Sequence, residues 1–435
     1  SMDEKMDEKT LNVFLNYIFV WFAISNEKRL FMLSKTIIEK YAKLAVRSGV
    51  NVQPGQTMVI NAPVNTRDMI EACVKEGYEA GAKEVIVNFY DEKINRMHYE
   101  YQSVETLTDI PDYLVEQKVA PLRNGGCILH IVSEIPEVMA GLDATKLQEV
   151  GIARQKAYRE SSEITMASKV QWSIVGYPNI DWAKKVFPND TDEAAVKKLG
   201  DAICNSVQVL EDNDPIEFWK EHDENLRKYV NIMNDYNFKS LHFKNELGTD
   251  LTVELVKNHI WAGGDEATPG GVMFNANMPT EEVFTMPYKY GMNGKVVSTK
   301  PLSYNGSLIN QFELTFKDGK VVEYKAENNE DVLQSLIEFD EGSSYTGEIA
   351  LVPYHSPLSM SNILFYNTLY DENASCHIAL GRAYPMNVKD GTIMTQEQLD
   401  AVGSNNSMTH VDFMFGTEDL EIIGTTHDGN EIPVF

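Results

Sequence analysis

The 435-residue chain predicts two unlike halves: an α/β N-terminal domain with a mostly parallel sheet, and an α+β, antiparallel-rich C-terminal domain that carries the chemistry. Three observations predict this. Up to about residue 210, short apolar runs alternate with amphipathic stretches of helical period, the grammar of β-α-β units. From about residue 237 the text changes to paired strands around turn residues. Four motifs in that second half then set acids and histidines among apolar neighbours, where a core strand wants none.

In chain order, the run "TMVINAP" from Thr57, the amphipathic "DMIEACVKEGYEAGA" and the run "EVIVNFYD" make the first β-α-β unit. "GCILHIVSEI" and "VQWSIVGYP" supply further strands, so apolar throughout that both faces must be covered by helices. The long helix "DPIEFWKEHDENLRKYVNIMNDYNF" closes this domain. "KSLHFKNELGTDLTVEL" then reads as a hairpin, and "NQFELTFKDGKVVEYKAE" as another with Asp318-Gly319 at its turn. The domain division is therefore an extension over 1–34, an α/β domain over 35–236 and an antiparallel-rich α+β domain over 237–435, to which the chemistry below belongs. No G-x-G-x-x-G or P-loop is present, so the first half offers no phosphate cradle.

Composition narrows the function classes. With 38 basic and 65 acidic residues the net charge is −27, a field that repels polyanions and argues against a nucleic-acid partner. The same field favours cations, whether metal ions or peptides with a free amino terminus. The four cysteines, Cys73, Cys127, Cys204 and Cys376, lie far apart with no C-x-x-C pair, as in a reduced cytoplasmic protein. The stretch "LNVFLNYIFVWFAIS" (11–25) is membrane-like but shorter than the roughly 20 residues a span needs, and its leader is acidic. It is read as an apolar helix packed on protein, with a membrane role set aside.

The chemistry candidates lie in the second half. In "NMPTEEVFT" Glu281 and Glu282 precede apolar text, and the bland reading is a helix start with acids facing the dipole. In "TGEIALVP" Glu348 opens a strand, and the bland reading is a solvent-facing edge residue. "DENASCHIALGRAYP" holds Glu372, His377 and Tyr384. Its adjacent Cys376 and His377 point to opposite faces of a strand, so they cannot form a thiol-protease pair. "THVDFMFG" (409–416) alternates, with Val411, Phe413 and Phe415 on one face and His410 and Asp412 on the other. Its bland reading is a core histidine satisfied by its own aspartate.

Weighed together, the motifs favour a metal centre. Carboxylates and imidazoles are what zinc, cobalt and manganese bind, and two glutamates, two histidines and an aspartate suffice for a pair of ions with one bridging carboxylate. Ions about 3.5 to 4 Å apart can hold a hydroxide between them and polarise a carbonyl. No H-E-x-x-H or G-x-S-x-G occurs, which excludes a zincin helix and weakens a serine hydrolase.

These motifs, in this order, together with "DWAKKVFP" and "LGTDLTVEL" upstream, resemble the aminopeptidase T and aminopeptidase S (PepS-type, thermophilic aminopeptidase) family of two-metal metallopeptidases from about residue 35 to the C-terminus. The resemblance implies a homodimeric exopeptidase that releases N-terminal residues from peptides with a free N-terminus by a metal-bridged hydroxide. Carried over by residue, it makes Glu282, Glu348, His377, His410 and Asp412 the metal ligands, with Glu348 as bridge. Tyr384 matches a tyrosine beside the metals, placed to steady an oxyanion. Glu281 and Glu372 occupy family motif positions as general base, ligand or amine anchor. Two rivals are carried beside it. A two-metal phosphoesterase would want cations near the ligands, and Arg382 is the only basic residue in the four motifs; a catalytically silent metal-binding protein would show a broken ligand set.

Overall fold

The computed structural model describes residues 33–305 and 307–434. The apolar stretch 11–25 lies outside the described residues. The first strand, Thr57–Pro63, pairs in parallel with Glu84–Tyr90 on one side and Cys127–Val132 on the other. Trp172–Gly176 adds beyond Cys127–Val132, also in parallel. Met58, Ile60, Leu129, Ile131 and Val175 are buried on these strands, as expected of a sheet covered by helices. The helix Arg67–Glu79 buries Met69, Ile70 and Cys73. It comes so close to the sheet at Gly77 that a Cβ there would stand 2.5 Å from the end of Met58. A side chain there would have to push the flexible end of Met58 aside.

The helix Pro215–Tyr236 starts with proline at its first turn and with Asp214 accepting from the Ile216 amide, and stops at Asn237 in the left-handed region. After it the strands form antiparallel sheets, apart from one short segment that joins the parallel sheet. Seven run in the order Lys320–Ala326, Phe312–Lys317, Pro287–Val297, Asp250–Leu255, Ser240–Lys244, Glu421–Thr425 and Glu431–Pro433. Asp318 and Gly319 both take positive φ at the hairpin tip, the conformation for which Asp-Gly is suited. A second sheet of four runs Val283–Thr285, Thr346–Leu351, His377–Gly381 and His410–Met414, antiparallel throughout. The two antiparallel sheets share one core, to which Phe243, Val253 and Leu314 contribute from the larger and Ile349, Ile378 and Phe413 from the smaller.

Two later segments return to the first domain. Asn277–Met278 pairs in parallel with Trp172–Gly176 as a fifth strand. Leu358, Phe365 and Tyr370 enter the first core, where the indole of Trp182 donates to the Phe365 carbonyl. Both segments border the motifs singled out above. The candidate residues therefore sit where the two halves meet. Among the described residues no helix is long and apolar enough to cross a membrane.

Candidate metal centre

The four-stranded sheet sorts its side chains by parity. Ile349, Leu351, Ile378, Leu380 and Phe413 go to the core. Glu348, His377, His410 and Asp412 go to the opposite face. Register then sets their spacing: Glu348 pairs with Ala379, which pairs with Asp412, so the two carboxylates flank a methyl group on the central strand. His377 opens that strand and His410 opens the next, opposite Gly381. Glu282 arrives from the residue preceding Val283–Thr285. The helix start expected at Glu281 and Glu282 does not form; the segment leads into a strand instead, because Val283 and Thr285 pair with Leu351 and Ile349. Nor is Glu348 a solvent-facing edge residue, since strands cover it on both sides and it is 4% exposed.

The donor atoms converge in three interlocking groups: Glu282, Glu348 and His377; Glu348, His410 and Asp412; Glu372, His377 and Asp412. Within each, one atom per residue lies within 4.8 Å of the others. Glu348, His377 and Asp412 each belong to two groups. The contacts are His377 Nε2 to Glu282 Oε2 at 2.8 Å, His410 Nε2 to Glu348 Oε2 at 3.2 Å, and His410 Nε2 to Asp412 Oδ2 at 3.4 Å.

Both imidazoles are held from behind. His377 Nδ1 lies 3.0 Å from the Ser375 carbonyl and His410 Nδ1 2.7 Å from the Arg382 carbonyl. A carbonyl only accepts, so Nδ1 carries the proton and Nε2 faces the cluster, the arrangement a metal-ligating histidine needs. Although His377 Nε2 and Glu282 Oε2 are close, they are not aligned as donor and acceptor. Both are buried without a hydrogen-bond partner, as is Asp412 Oδ1. Three orphaned atoms aimed into one space would be costly in a finished core. A cation among them removes the cost, and the set of carboxylates and imidazoles suits zinc, cobalt or manganese.

Without a cation, protons take up part of that charge. Burial pushes Glu348 up to about 7, although hydrogen bonding from His410 pulls the other way. Burial, with Asp412 and Glu282 nearby, holds Glu372 well above the usual carboxylate range. For His377 burial opposes the charged form, but Glu282, Asp412 and Glu372 outweigh it and raise the imidazole. His410 is raised in the same way, against burial, by Tyr384, Asp412 and Glu348. Asp412 is likewise opposed by burial, yet His410 and His377 hold it low.

The cavity over the cluster is small, about 70 Å³, with Glu372 and Tyr384 in its wall. The Tyr384 ring stands 4.7 Å from that of His410, and burial raises its hydroxyl, which keeps it a proton donor. Glu281 does not line this cavity. Its carboxylate lies 3.9 Å from His222 Nε2, which donates to the Thr280 carbonyl at 2.7 Å, and burial pushes it up to about 7. Its amide donates to Asn373 Oδ1 at 2.7 Å, tying this segment to the short helix Thr368–Glu372. Cys376 faces the core, its thiol against the Val352 backbone, away from His377. Sequence reasoning missed Met166, Ser168 and Trp172, which close the cavity from the first domain, and Glu266, which accepts from the Ser168 hydroxyl across the domain boundary. Glu266 sits in the glycine-rich "GGDEATPGG", where no periodicity marks its direction.

A sheet face on which carboxylates and imidazoles converge, closed by an α/β domain, has the donor set of a divalent-metal protein. The profile of the thermophilic metalloproteases (M29) matches residues 34–435, and the chain belongs to that family. It is 45% identical over 398 residues to aminopeptidase AmpS of Bacillus subtilis, spanning 92% of this chain and 97% of that one. To aminopeptidase T of Thermus thermophilus it is 35% identical over 400 residues, spanning 92% and 97%. The solved structure of wild-type AmpT from Thermus thermophilus superposes with a TM-score of 0.85 at 35% identity, covering 91% of this chain and 97% of that one. The chain is a metal-dependent aminopeptidase, and its substrates are peptides. Neither the phosphoesterase nor the silent-scaffold reading is favoured by these relatives.

Proposed function

We propose that this aminopeptidase works with two divalent ions, zinc, cobalt or manganese, held by Glu282, Glu348 and His377 on one side and by Glu348, His410 and Asp412 on the other. Glu348 bridges. The observation that carries the reading is the interlocking of the donor groups, in which Glu348 alone belongs to both of these triads. Bound there, such ions supply Lewis-acid polarisation of the scissile carbonyl and a hydroxide at neutral pH.

The chain's own residues do the rest. Glu372, buried beside the cluster with its proton affinity raised, carries a proton to the departing amine. Tyr384 donates its hydroxyl to the carbonyl oxygen as negative charge gathers there. Acidic groups at the metal centre hold the substrate's α-ammonium group, which restricts cleavage to the N-terminus. Glu281, turned to His222, orders the segment that delivers Glu282 and does not meet substrate.

Four unpaired, buried thiols support a reducing, cytoplasmic setting. The exposed apolar side chains of Phe89, Ile94, Met97 and Tyr101, along 89–101, support a homodimer in which a second copy covers them. Sedimentation velocity on the protein and on a Phe89→Ser, Met97→Ser variant tests that part. The metal reading is tested by stripping the protein with chelator and titrating ions back. Loss of leucine p-nitroanilide cleavage, recovered at two equivalents, is expected; undiminished turnover after exhaustive stripping would sink it.

A further inference from the structure

Arg382, the one basic residue in the four motifs, is not used by the chemistry above. It follows the strand His377–Gly381 directly. Its backbone is fixed from both ends: the amide donates to the Thr409 carbonyl at 2.7 Å, and the carbonyl accepts from His410 Nδ1. Its side chain leaves in another direction, into a groove of about 890 Å³. This groove adjoins the metal cavity, since Met166, Trp172, Tyr384 and His410 belong to the walls of both.

The charge of the groove is opposite to that of the molecule. Arg154, Lys156, Arg159 and Arg382 face it against two acids, Asp340 and Glu341, on a chain whose net charge is −27. Asp340 is already occupied by the Ser407 hydroxyl and the Met408 amide, and Arg159 by Glu163 at 2.7 Å. Among the described residues the Arg382 guanidinium makes no hydrogen bond or salt bridge. Half-buried and unpaired, it keeps an unmet demand for an anion. Burial, with Arg159 nearby, lowers its proton affinity, while Glu163 offsets this only in part.

An aminopeptidase presents such a groove with a particular anion. With the N-terminal residue of the substrate at the cluster, the remainder of the peptide, beyond the scissile bond, leaves through the open side. Two further residues reach at most about 7 Å, and a short peptide ends there in a carboxylate. The guanidinium fork matches a carboxylate in two parallel hydrogen bonds. We propose that the groove binds the leaving side of the peptide and that Arg382 is the residue that holds a carboxylate there. Its two sources are the terminal carboxylate of a di- or tripeptide and an acidic side chain just beyond the scissile bond.

The inference rests on the aminopeptidase reading, so the test must separate the two. Three substrates suffice: Leu-Gly-Gly, its C-terminal amide, and Leu-Asp-Gly amide. All meet the same metals, so general damage to the site cancels in their ratios. The wild type is expected to favour the free acid over the amide by tenfold or more in kcat/KM, chiefly through KM. Leu-Asp-Gly amide recovers part of that advantage if the groove also accepts the side-chain source. In Arg382→Gln the acid-to-amide ratio falls to near one, and in Arg382→Lys it is intermediate. A wild-type ratio near one overturns the proposal. So does an undiminished ratio in Arg382→Gln or, if that variant does not fold, in Arg382→Lys. Failure of the wild type to cleave any of the three would instead overturn the aminopeptidase reading beneath it.

Discussion

Glu348→Gln separates a bridging ligand from a satisfied core acceptor, because the two roles predict opposite effects on the metal-free fold. In that state Glu348 is buried, raised to about 7, and close to Glu282 and Asp412. An acid whose proton affinity is higher folded than unfolded favours the fold fully at low pH. That contribution is lost as pH rises from the ordinary carboxylate value through about 7. Above pH 7 glutamine removes the buried charge, and in chelator the variant should gain on the order of 1 to 3.5 kcal/mol, the upper figure being the full shift from 4.5 to about 7 at about 1.4 kcal/mol per unit. The raised value already includes the attraction to His410, and the lower figure allows for a glutamine amide that fits the site less well than the protonated acid. A Tm rise of roughly 2 to 6 °C is expected. With saturating metal the order inverts, because ions held near 100 times their Kd each stabilise the wild type by about 2.7 kcal/mol, and the variant forfeits this. Turnover should fall roughly 100-fold or more, the equivalent of about 2.7 kcal/mol in the barrier. The assays are melting at pH 8 with chelator and with metal, elemental analysis, and p-nitroanilide kinetics. A chelated variant less stable than wild type by about 1 kcal/mol or more, with metal content intact, would show Glu348 to be an ordinary hydrogen-bond acceptor for His410.

Tyr384→Phe should lower kcat by roughly 100-fold or more with little change in KM or metal content, if its hydroxyl acts on the developing charge; equal losses of metal and rate would make it a packing residue for His410. Ala379→Leu should abolish metal uptake while sparing the strand pairing, since Ala379 lies between Glu348 and Asp412 on the ligand face. Elemental analysis beside circular dichroism checks this, and a folded variant with two ions would refute the spacing argument. An N-acetylated peptide should resist cleavage while its free-amine twin is trimmed, and equal rates would mark an endopeptidase.

Much of this was legible in the sequence because it is local. Strand parity put Phe413 and Phe415 in the core and His410 and Asp412 on the other face, and the structure has them so. The β-α-β text predicted the parallel sheet, and Asp318-Gly319 the hairpin. The illegible part depends on contacts distant in the chain. Glu282 reads as a helix-start acid until Val283 finds Leu351, some seventy residues on. Glu348 reads as an edge residue until two strands from elsewhere cover it. Nothing near residues 277 or 365 shows that the chain goes back to the first domain there, because the apolar residues that return, Met278 and Phe365, would suit either core equally well.

The return of those segments explains why the site lies where it does. Glu282 and Glu372 each come, within a few residues, after a piece of the second half anchored in the first: Asn277–Met278 on the parallel sheet, Phe365 and Tyr370 in its core. Glu348, His377, His410 and Asp412 belong instead to the four-stranded antiparallel sheet. The donor set is therefore divided between a sheet that positions ligands by register and two connections whose position depends on the other domain. If the proposed ligand set holds, any movement between the halves shifts Glu282 and Glu372 against the donors on the sheet, and the domain contact becomes part of the metal geometry. Trp182→Phe tests this, because it keeps the ring in the core but removes the hydrogen bond to the Phe365 carbonyl. Metal affinity should weaken several-fold although the substitution touches no ligand. Unchanged affinity alongside a lowered Tm would show that the contact stabilises the fold without setting the site.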